Sequence, residues 1–307
     1  MVVLGTEGRD EVVDMLYKVL SKYLSSLQES LSSYVKQLVQ FLKSSNELLI
    51  TYSGMYVSPA TYLLLLLRSL TNVNAYLVEP ETLMYYVAPY VEGGIRRVLI
   101  ISSGVDSSLI RLLDQLNLTG YEVMLISPSP IPDNVRYKVR EDLLLEIKPQ
   151  DLLFQHLLVG IAVSEYLNRS GVRGSRLWNE LSNLNEVLKD LLTKYIGKLY
   201  EVKEFTNDIF IITSTPSMLG PAEHITYNYN VRIPRYLIPL NNVKHYIKYS
   251  KKVLVISTDV EEFSIKEIIG LKIGGAVNVC ELRIRTDPLT APIYGLILSN
   301  ALMMIGD

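Results

Sequence analysis

The chain has one cysteine, Cys280, in 307 residues, so no intrachain disulfide can form and a cysteine-based metal site is excluded. Its three histidines, His156, His224 and His245, are scattered without the spacing of metal ligands, and no cofactor or metal is expected. Charge of one sign is also lacking. Thirty basic residues face 32 acidic ones, a net of -2, which gives no broad field for a nucleic acid or an anionic membrane. No apolar run reaches the ~20 residues needed to cross a bilayer. Tyr62–Leu67 stops at Arg68, and the apolar tail 291–305 contains Ser299 and Asn300. The opening segment, MVVLGTEGRDEVVD, has no basic lead-in, apolar stretch or small-residue cleavage site, which predicts a cytoplasmic protein. What the chain does have is apolar material: 49% hydrophobic against 20% charged residues, enough for a sizeable core.

Periodicity gives the organisation. From Asp10 to Ser44 the residues Val12, Leu16, Val19, Tyr23, Leu27, Leu31, Tyr34, Leu38 and Phe41 recur at steps of three and four, which predicts one long amphipathic helix. Lys18, Lys22, Glu29 and Lys36 fall on its other face, and the apolar stripe must lie on a domain or on a second subunit. Short apolar runs then alternate with helical stretches. Strands are predicted at 47–52, 74–79, 97–102, 121–127 and 141–147, with helices at 58–70, 82–90, 107–116 and 151–167, the last closed by Gly171 and Gly174. A helical run over 177–198 precedes a second alternation. Its strands are 208–213, 235–240, 252–257 and 276–282, with helices near Glu223, over 263–271 and over 289–304. Runs that are apolar on both faces belong to parallel sheets covered by helices on each side. RVLIISSGVDSSLIRLL and KVLVISTDVEEFSIKEI share a buried strand ending in Ile-Ser, a polar turn and a helix, so the chain holds the same unit twice.

In open parallel sheets ligands bind beyond the carboxyl ends of the strands, where turns lead into helices. After the third strand comes Ser102-Ser103-Gly104-Val105-Asp106-Ser107-Ser108, and after the first comes Ser53-Gly54-Met55-Tyr56-Val57-Ser58-Pro59. Hydroxyls and free amides at the positive end of a helix make a cradle for a small phosphorylated ligand. The same residue types cap helices in any protein, and Asp106 would repel a dianion, so capping alone stands as the other reading.

The order of strands, Ser/Gly turns and helices resembles the sugar isomerase (SIS) domain family, and its occurrence twice behind a long helix resembles the archaeal bifunctional phosphoglucose/phosphomannose isomerase group. Ser53 and Gly54 in LLITYSGMY stand where that group has a Gly-Gly-Ser-Gly turn. Ser103 and Gly104 keep part of its Ser-x-Ser-Gly-x-Thr turn, with Asp106 in place of the threonine. FIITSTPSMLGPAEHITYNYN is similar to the segment carrying a catalytic glutamate, and DPLTAPIYGLILSNALMMIGD to the closing helix. The resemblance implies an α/β fold of two SIS-like α-β-α sandwich subdomains, each with a mostly parallel sheet, plus the long N-terminal helix. The divisions are residues 1–45 for that helix, 46–170 for the first SIS-like domain, 171–200 for a connecting helix and 201–307 for the second. It also implies a phosphorylated sugar bound in the cleft between the halves by Ser53, Gly54, Ser58, Ser102, Ser103, Gly104, Ser107 and Ser108.

Isomerisation in that family needs a carboxylate to move a proton between C1 and C2 of a sugar phosphate, with a histidine assisting ring opening. Asn228 stands where the glutamate is expected, and in Pro239–His245 the glutamate of the family's Glu-x-x-His-Asn is missing. Glu223, His224 and His245 are therefore the catalytic candidates, for an isomerase of hexose phosphates. The alternative is an inactive relative that senses a sugar phosphate or serves as a structural subunit. Glu223-His224 also reads as a polar pair on the surface of a helix start, and neighbours on a helix point about 100° apart. His156 reads as a core residue and Cys280 as a small hydrophobe in a buried strand. Arg232, Arg235, Arg283 and Arg285 read as phosphate contacts or as solvated strand edges. Tyrosine outnumbers phenylalanine by 21 to 5. The scatter of Tyr227, Tyr229, Tyr236, Tyr246 and Tyr249 over several elements favours an interface and, with the N-terminal stripe, a homodimer.

Overall fold

The structure is a computed structural model that describes residues 6–44, 46–90, 96–148, 151–228 and 233–305. It is an α/β fold with two parallel sheets. The chain divides into two compact units, one of Leu27–Ser182 and one of Met1–Ser26 with Asn183–Asp307. Helix α1, Thr6–Lys43, contributes to both. Its buried line runs through Val13, Leu16, Leu20, Leu24, Leu27, Leu31, Val35, Leu38 and Phe41. This corrects the expected stripe at four places. Val19 is half exposed and Val12, Tyr23 and Tyr34 only partly covered, because the line follows the adjacent Val13, Leu20, Leu24 and Val35. Lys18, Lys22, Glu29 and Lys36 are exposed, as the pattern requires.

In the first unit β1 (Glu47–Ser53) leads to α2 (Ser58–Leu70) and β2 (Asn74–Leu77). A short α3 (Pro80–Thr82) widens into a looser turn over Leu83–Val87. Then come β3 (Arg97–Ser102), α4 (Ser107–Leu118), β4 (Glu122–Pro128), the single turn α5 (Asp133–Arg136), β5 (Leu144–Ile147), α6 (Leu152–Tyr166) and α7 (Val172–Ser182). The sheet order is β2-β1-β3-β4-β5, all parallel. β5 is shorter than its apolar run suggests. Residues 141–143 form one tight turn instead, since Glu141 and Asp142 are exposed and Asp142 pairs with Arg140 at 2.6 Å. Arg97 ties α1 to β3: it donates to the Phe41 carbonyl at 3.0 Å, its guanidinium lies 4.3 Å from the Phe41 ring, and it pairs with Glu122. A cation at a helix C-terminus completes the exposed carbonyls there.

α6 is buried almost all round, Leu152 to Gly160 without interruption, so no amphipathic face shows in its sequence. The turn that ends it is made by Asn168, Arg169 and Gly171, each at positive φ. Gly174 was expected to share in that closure but lies inside α7, where a β-carbon would come 3.2 Å from Leu167.

The expected helix over 177–198 is in fact two, α7 and α8 (Leu184–Phe205), broken at Asn183. The apolar period continues across the break through Leu181, Leu184 and Leu188, all buried, which hides it from a reading of periodicity. The second unit continues with β6 (Phe210–Ser214), α9 (Leu219–Asn228), β7 (Arg235–Leu237), α10 (Val243–Tyr246), β8 (Lys252–Thr258), α11 (Lys266–Ile273), β9 (Asn278–Ile284) and α12 (Ala291–Met304). Its order, β7-β6-β8-β9, is parallel throughout and repeats that of β2-β1-β3-β4. The start of α1 joins this unit through Asp14 with Lys189 at 2.8 Å and Ser25 with Asn185 at 3.0 Å. Among the described residues no helix is long and apolar enough to cross a membrane.

Candidate functional site

Both Ser/Gly turns of the first unit leave the same end of adjacent strands, because Ser53 of β1 stands opposite Ser102 of β3. They are bound to each other. The Ser103 amide donates to the Ser53 carbonyl at 3.0 Å, and the Met55 amide donates to Ser103 Oγ at 2.7 Å. Gly54 sits at φ +84°, and a β-carbon there would lie 2.1 Å from Ser103 Oγ. Only glycine fits this approach. Ser102 turns its hydroxyl onto Gly104: it donates to the Gly104 carbonyl and accepts from the Gly104 amide at 3.0 Å. Asp106 caps α4 by accepting from the Leu109 amide at 2.8 Å, and Ser53 Oγ donates to the same oxygen at 3.4 Å.

Ser107 and Ser108 open the first turn of α4. Their side chains are at least partly exposed, and neither they nor their amides have a hydrogen-bond partner among the described residues. These are the donors left for an anion, at the positive end of a twelve-residue helix. Ser58, by contrast, is buried at the start of α2.

One residue that shapes the candidate site escaped the sequence reading in this unit. Gln155, 3% exposed on α6, donates to the Ser102 carbonyl at 3.0 Å and holds the turn from beneath. Its Oε1 has no partner among the described residues. A glutamine inside the apolar run LLFQHLLVG was the available signal. The adjacent His156 is a core residue: it is 1% exposed, bonded through Nδ1 to the Leu152 carbonyl at 2.9 Å and stacked on Tyr62 at 5.3 Å.

In the second unit Glu223 and His224 lie on α9 and both are buried, at 2% and 7% exposure, so they are not a surface pair. His224 Nδ1 meets Ser299 Oγ of α12 at 2.9 Å, and Ser299 donates its own proton to the Leu296 carbonyl. A serine that spends its proton on that carbonyl leaves its oxygen to accept from the imidazole Nδ1–H. His245 stands apart from them, exposed on the single turn α10.

The turns after β6 and β8 are joined by Glu261, which the sequence reading did not single out. Its carboxylate accepts from the Ser217 amide at 3.2 Å, from the Ser217 hydroxyl, and from Thr258 Oγ1 at 2.9 Å. Alignment of the two repeated segments sets Glu261 against Asp106, so the repeat itself carried the signal.

The basic candidates divide. Arg283 is held by Glu281 at 2.9 Å, with Glu262 at 3.6 Å and Asp259 at 3.8 Å; the Glu281 hydrogen bond first, then these negative charges, raise its pKa against the lowering effect of burial. Arg235 donates to the Thr226 carbonyl, and Arg285 is largely exposed with Asp259 at 3.9 Å. Arg232 and Tyr229 lie outside the described residues. Tyr227, Tyr236, Tyr246 and Tyr249 are exposed, the last two with rings 6.0 Å apart. Cys280 is buried, and desolvation pushes its thiol up to about 11. Among the described residues no group of three or more His, Cys, Asp or Glu side chains is placed to hold a metal.

Similarity to solved structures is extensive in shape and low in sequence. A protein assigned as a phosphosugar isomerase from Silicibacter pomeroyi superposes with a TM-score of 0.64 at 12% identity, covering 97% of this chain and 96% of its own. The fold is that of the SIS proteins. The C-terminal domain of glucosamine-fructose-6-phosphate aminotransferase from Francisella tularensis matches at TM-score 0.60 and 14% identity, over 92% of this chain and 94% of that one. Glucosamine-6-phosphate deaminase from Thermotoga maritima matches at 0.55 and 12%, over 93% and 94%. No family model matches the sequence, and no curated protein matches it. Neighbours with three different reactions on one SIS fold mean that the fold does not choose the chemistry; the site must.

Proposed function

We propose that this chain binds a small phosphorylated sugar, with the phosphoryl group on the N-terminus of α4. The observation that carries the reading is the pair Ser107 and Ser108, whose amides and hydroxyls are unengaged among the described residues while the neighbouring serines shape the turn. Backbone amides at a helix start bind phosphate without a lysine. In this reading Ser53, Gly54, Ser102, Ser103 and Gly104 set the geometry and Ser107 and Ser108 make the contacts. The names of the structural neighbours support a sugar phosphate as the ligand class.

For the chemistry, aldose–ketose isomerisation of a hexose phosphate calls for one carboxylate that removes the C2 proton and returns it to C1 through an enediol. Glu223 is our candidate for that base, with His224 as its assistant. A second reading, a phosphosugar sensor without turnover, is favoured by the near-complete burial of Glu223 and by the bond that holds His224 to Ser299. We place the protein in the cytoplasm and read it as a homodimer; the exposed Tyr76, Tyr85, Tyr86 and Tyr90 support the second of these.

Isothermal titration calorimetry with fructose 6-phosphate and with fructose tests the binding. Heat from the phosphorylated sugar alone, weakened at least tenfold in Ser107→Ala/Ser108→Ala, is the expected result. Equal behaviour of the two sugars, or of the two proteins, rejects it. A coupled isomerase assay on the wild type and Glu223→Gln then separates the readings. Turnover lost in the variant assigns the base, and no turnover in the wild type leaves the sensor.

A further inference from the structure

A cavity of about 510 Å³ opens in the second unit among α8, α11 and β9. Its origin lies in the sheet order. In the first unit β4 is covered by β5, whereas β9, which holds the matching position, is the last strand of its sheet among the described residues. Into this space project Lys194 and Lys198 of α8, Lys272 of α11, and Arg283 and Arg285 from β9 and its exit. Two carboxylates, Glu201 and Glu281, also line it. Lys198 pairs with Glu201 at 2.7 Å and Arg283 with Glu281 at 2.9 Å, so these charges compensate each other.

Three cations remain. Lys194 and Lys272 form no ion pair among the described residues, and Arg285 has only the 3.9 Å approach of Asp259. Tyr195 adds an oriented donor. Its buried phenol oxygen accepts the Arg285 amide at 2.9 Å, and its own proton has no acceptor among the described residues. Two lysines without an ion pair among the described residues, a loosely paired arginine and one phenolic donor around a space of small-molecule size favour a compact, multiply charged anion. A monophosphate would leave one charge or more unmet.

We propose that this cavity binds a small molecule carrying two or more linked phosphoryl groups, separately from the Ser107–Ser108 turn. The probes are sodium tripolyphosphate, ATP, adenosine and inorganic phosphate, titrated by calorimetry into the full chain at 50 mM and 300 mM salt. Tripolyphosphate or ATP should bind one per chain, more weakly at the higher salt, while adenosine gives no heat and phosphate binds at least tenfold more weakly. Comparable affinity for tripolyphosphate and ATP assigns the recognition to the phosphates, and a tenfold preference for ATP adds a nucleoside contact.

Lys194→Glu/Lys272→Glu alters two exposed side chains and should weaken the polyphosphate at least 30-fold with an unchanged melting temperature. Should the variant melt earlier, Lys194→Gln/Lys272→Gln, which only neutralises the charges, should still weaken it at least fivefold. Ser107→Ala/Ser108→Ala should bind polyphosphate as the wild type does. The proposal is overturned by absence of binding, by affinity that survives both lysine pairs, or by loss in the serine variant.

Discussion

In the first unit the acid in the turn after β3 is an aspartate that faces back onto its own helix; in the second the acid after β8 is a glutamate that reaches across to the neighbouring turn. Asp106 accepts from Leu109 and Ser53, and the two residues after it are serines with open amides. Glu261 accepts from Ser217 twice and from Thr258, and the two residues after it are Glu262 and Phe263. One added methylene changes what the turn can do. The second unit joins its two turns through its own carboxylate, where the first joins them through Ser103, and the further acids Asp259 and Glu262 serve Arg283. The same backbone therefore gives one helix start with open amides and one turn closed by a carboxylate, and the difference lies in side-chain reach and charge.

The two units also differ in how tightly their buried helices pack, and this gives the largest effect we expect. Gly295 on α12 would place a β-carbon 2.4 Å from Pro221 Cγ, while Gly160 on α6 would place one 2.7 Å from the end of Leu181. A proline ring in a helix cannot swing away, and a leucine methyl can. Gly295→Ala should lose about 3 kcal/mol in urea unfolding and Gly160→Ala about 1, near the two ends of the range for overpacking. Equal losses would mean that the two contacts yield alike.

The acids come next. Glu261→Ala strands an amide and two hydroxyls and should cost about 2 kcal/mol. Asp106→Ala removes a cap and should cost about 1. Sulfate should restore part of the Glu261→Ala loss by entering the vacated place. If it restores nothing, the carboxylate is not standing in for an anion.

A pH effect belongs to β5, which among the described residues has no counterpart in the second unit. Glu146 of β5 accepts from Ser129 at 2.8 Å, from Arg136 and from the Ile131 amide at 3.1 Å. Those bonds, Ser129 first and then Arg136, hold its carboxyl below the ordinary value of 4.5. A carboxyl lowered on folding stabilises fully above its unfolded value and loses that contribution as pH falls through the folded one. Melting temperatures followed from pH 5 down to pH 3 should therefore fall more steeply for the wild type than for Glu146→Gln. Parallel curves would remove Glu146 from the account. The smallest effect concerns Cys280, which should leave stability untouched and react with a disulfide reagent at pH 8 at least tenfold more slowly in the folded chain than in urea.

The sheets were readable because a parallel strand covered on both faces is a continuous apolar run, as at RVLIIS and KVLVIS, and because each run ends in serine where the turn begins. The candidate site was readable only as a pair of turns. Nothing in the residue types at 102–108 says that Ser102 and Ser103 turn inward while Ser107 and Ser108 do not; that depends on the 2.7 Å bond to Met55 and on Gly54, both set by the neighbouring strand. Glu261 was hidden for the same reason: Ser217, which donates to it twice, lies in another turn 44 residues away. The break at Asn183 and the inner face of α1 escaped because periodicity fixes a stripe only to within about one residue.

The sharing of α1 has a consequence for the order in which the protein takes shape on the ribosome. Leu27–Ser182 is contiguous and can pack as soon as it emerges. The stretch just before it, with Val13, Leu16, Leu20 and Leu24, belongs with residues from Asn183 onward and must wait for that later part of the message to be read. During that interval its oily side has no home, which makes the nascent chain a natural client for a holdase, and a pause in translation after Ser182 would lengthen its exposure.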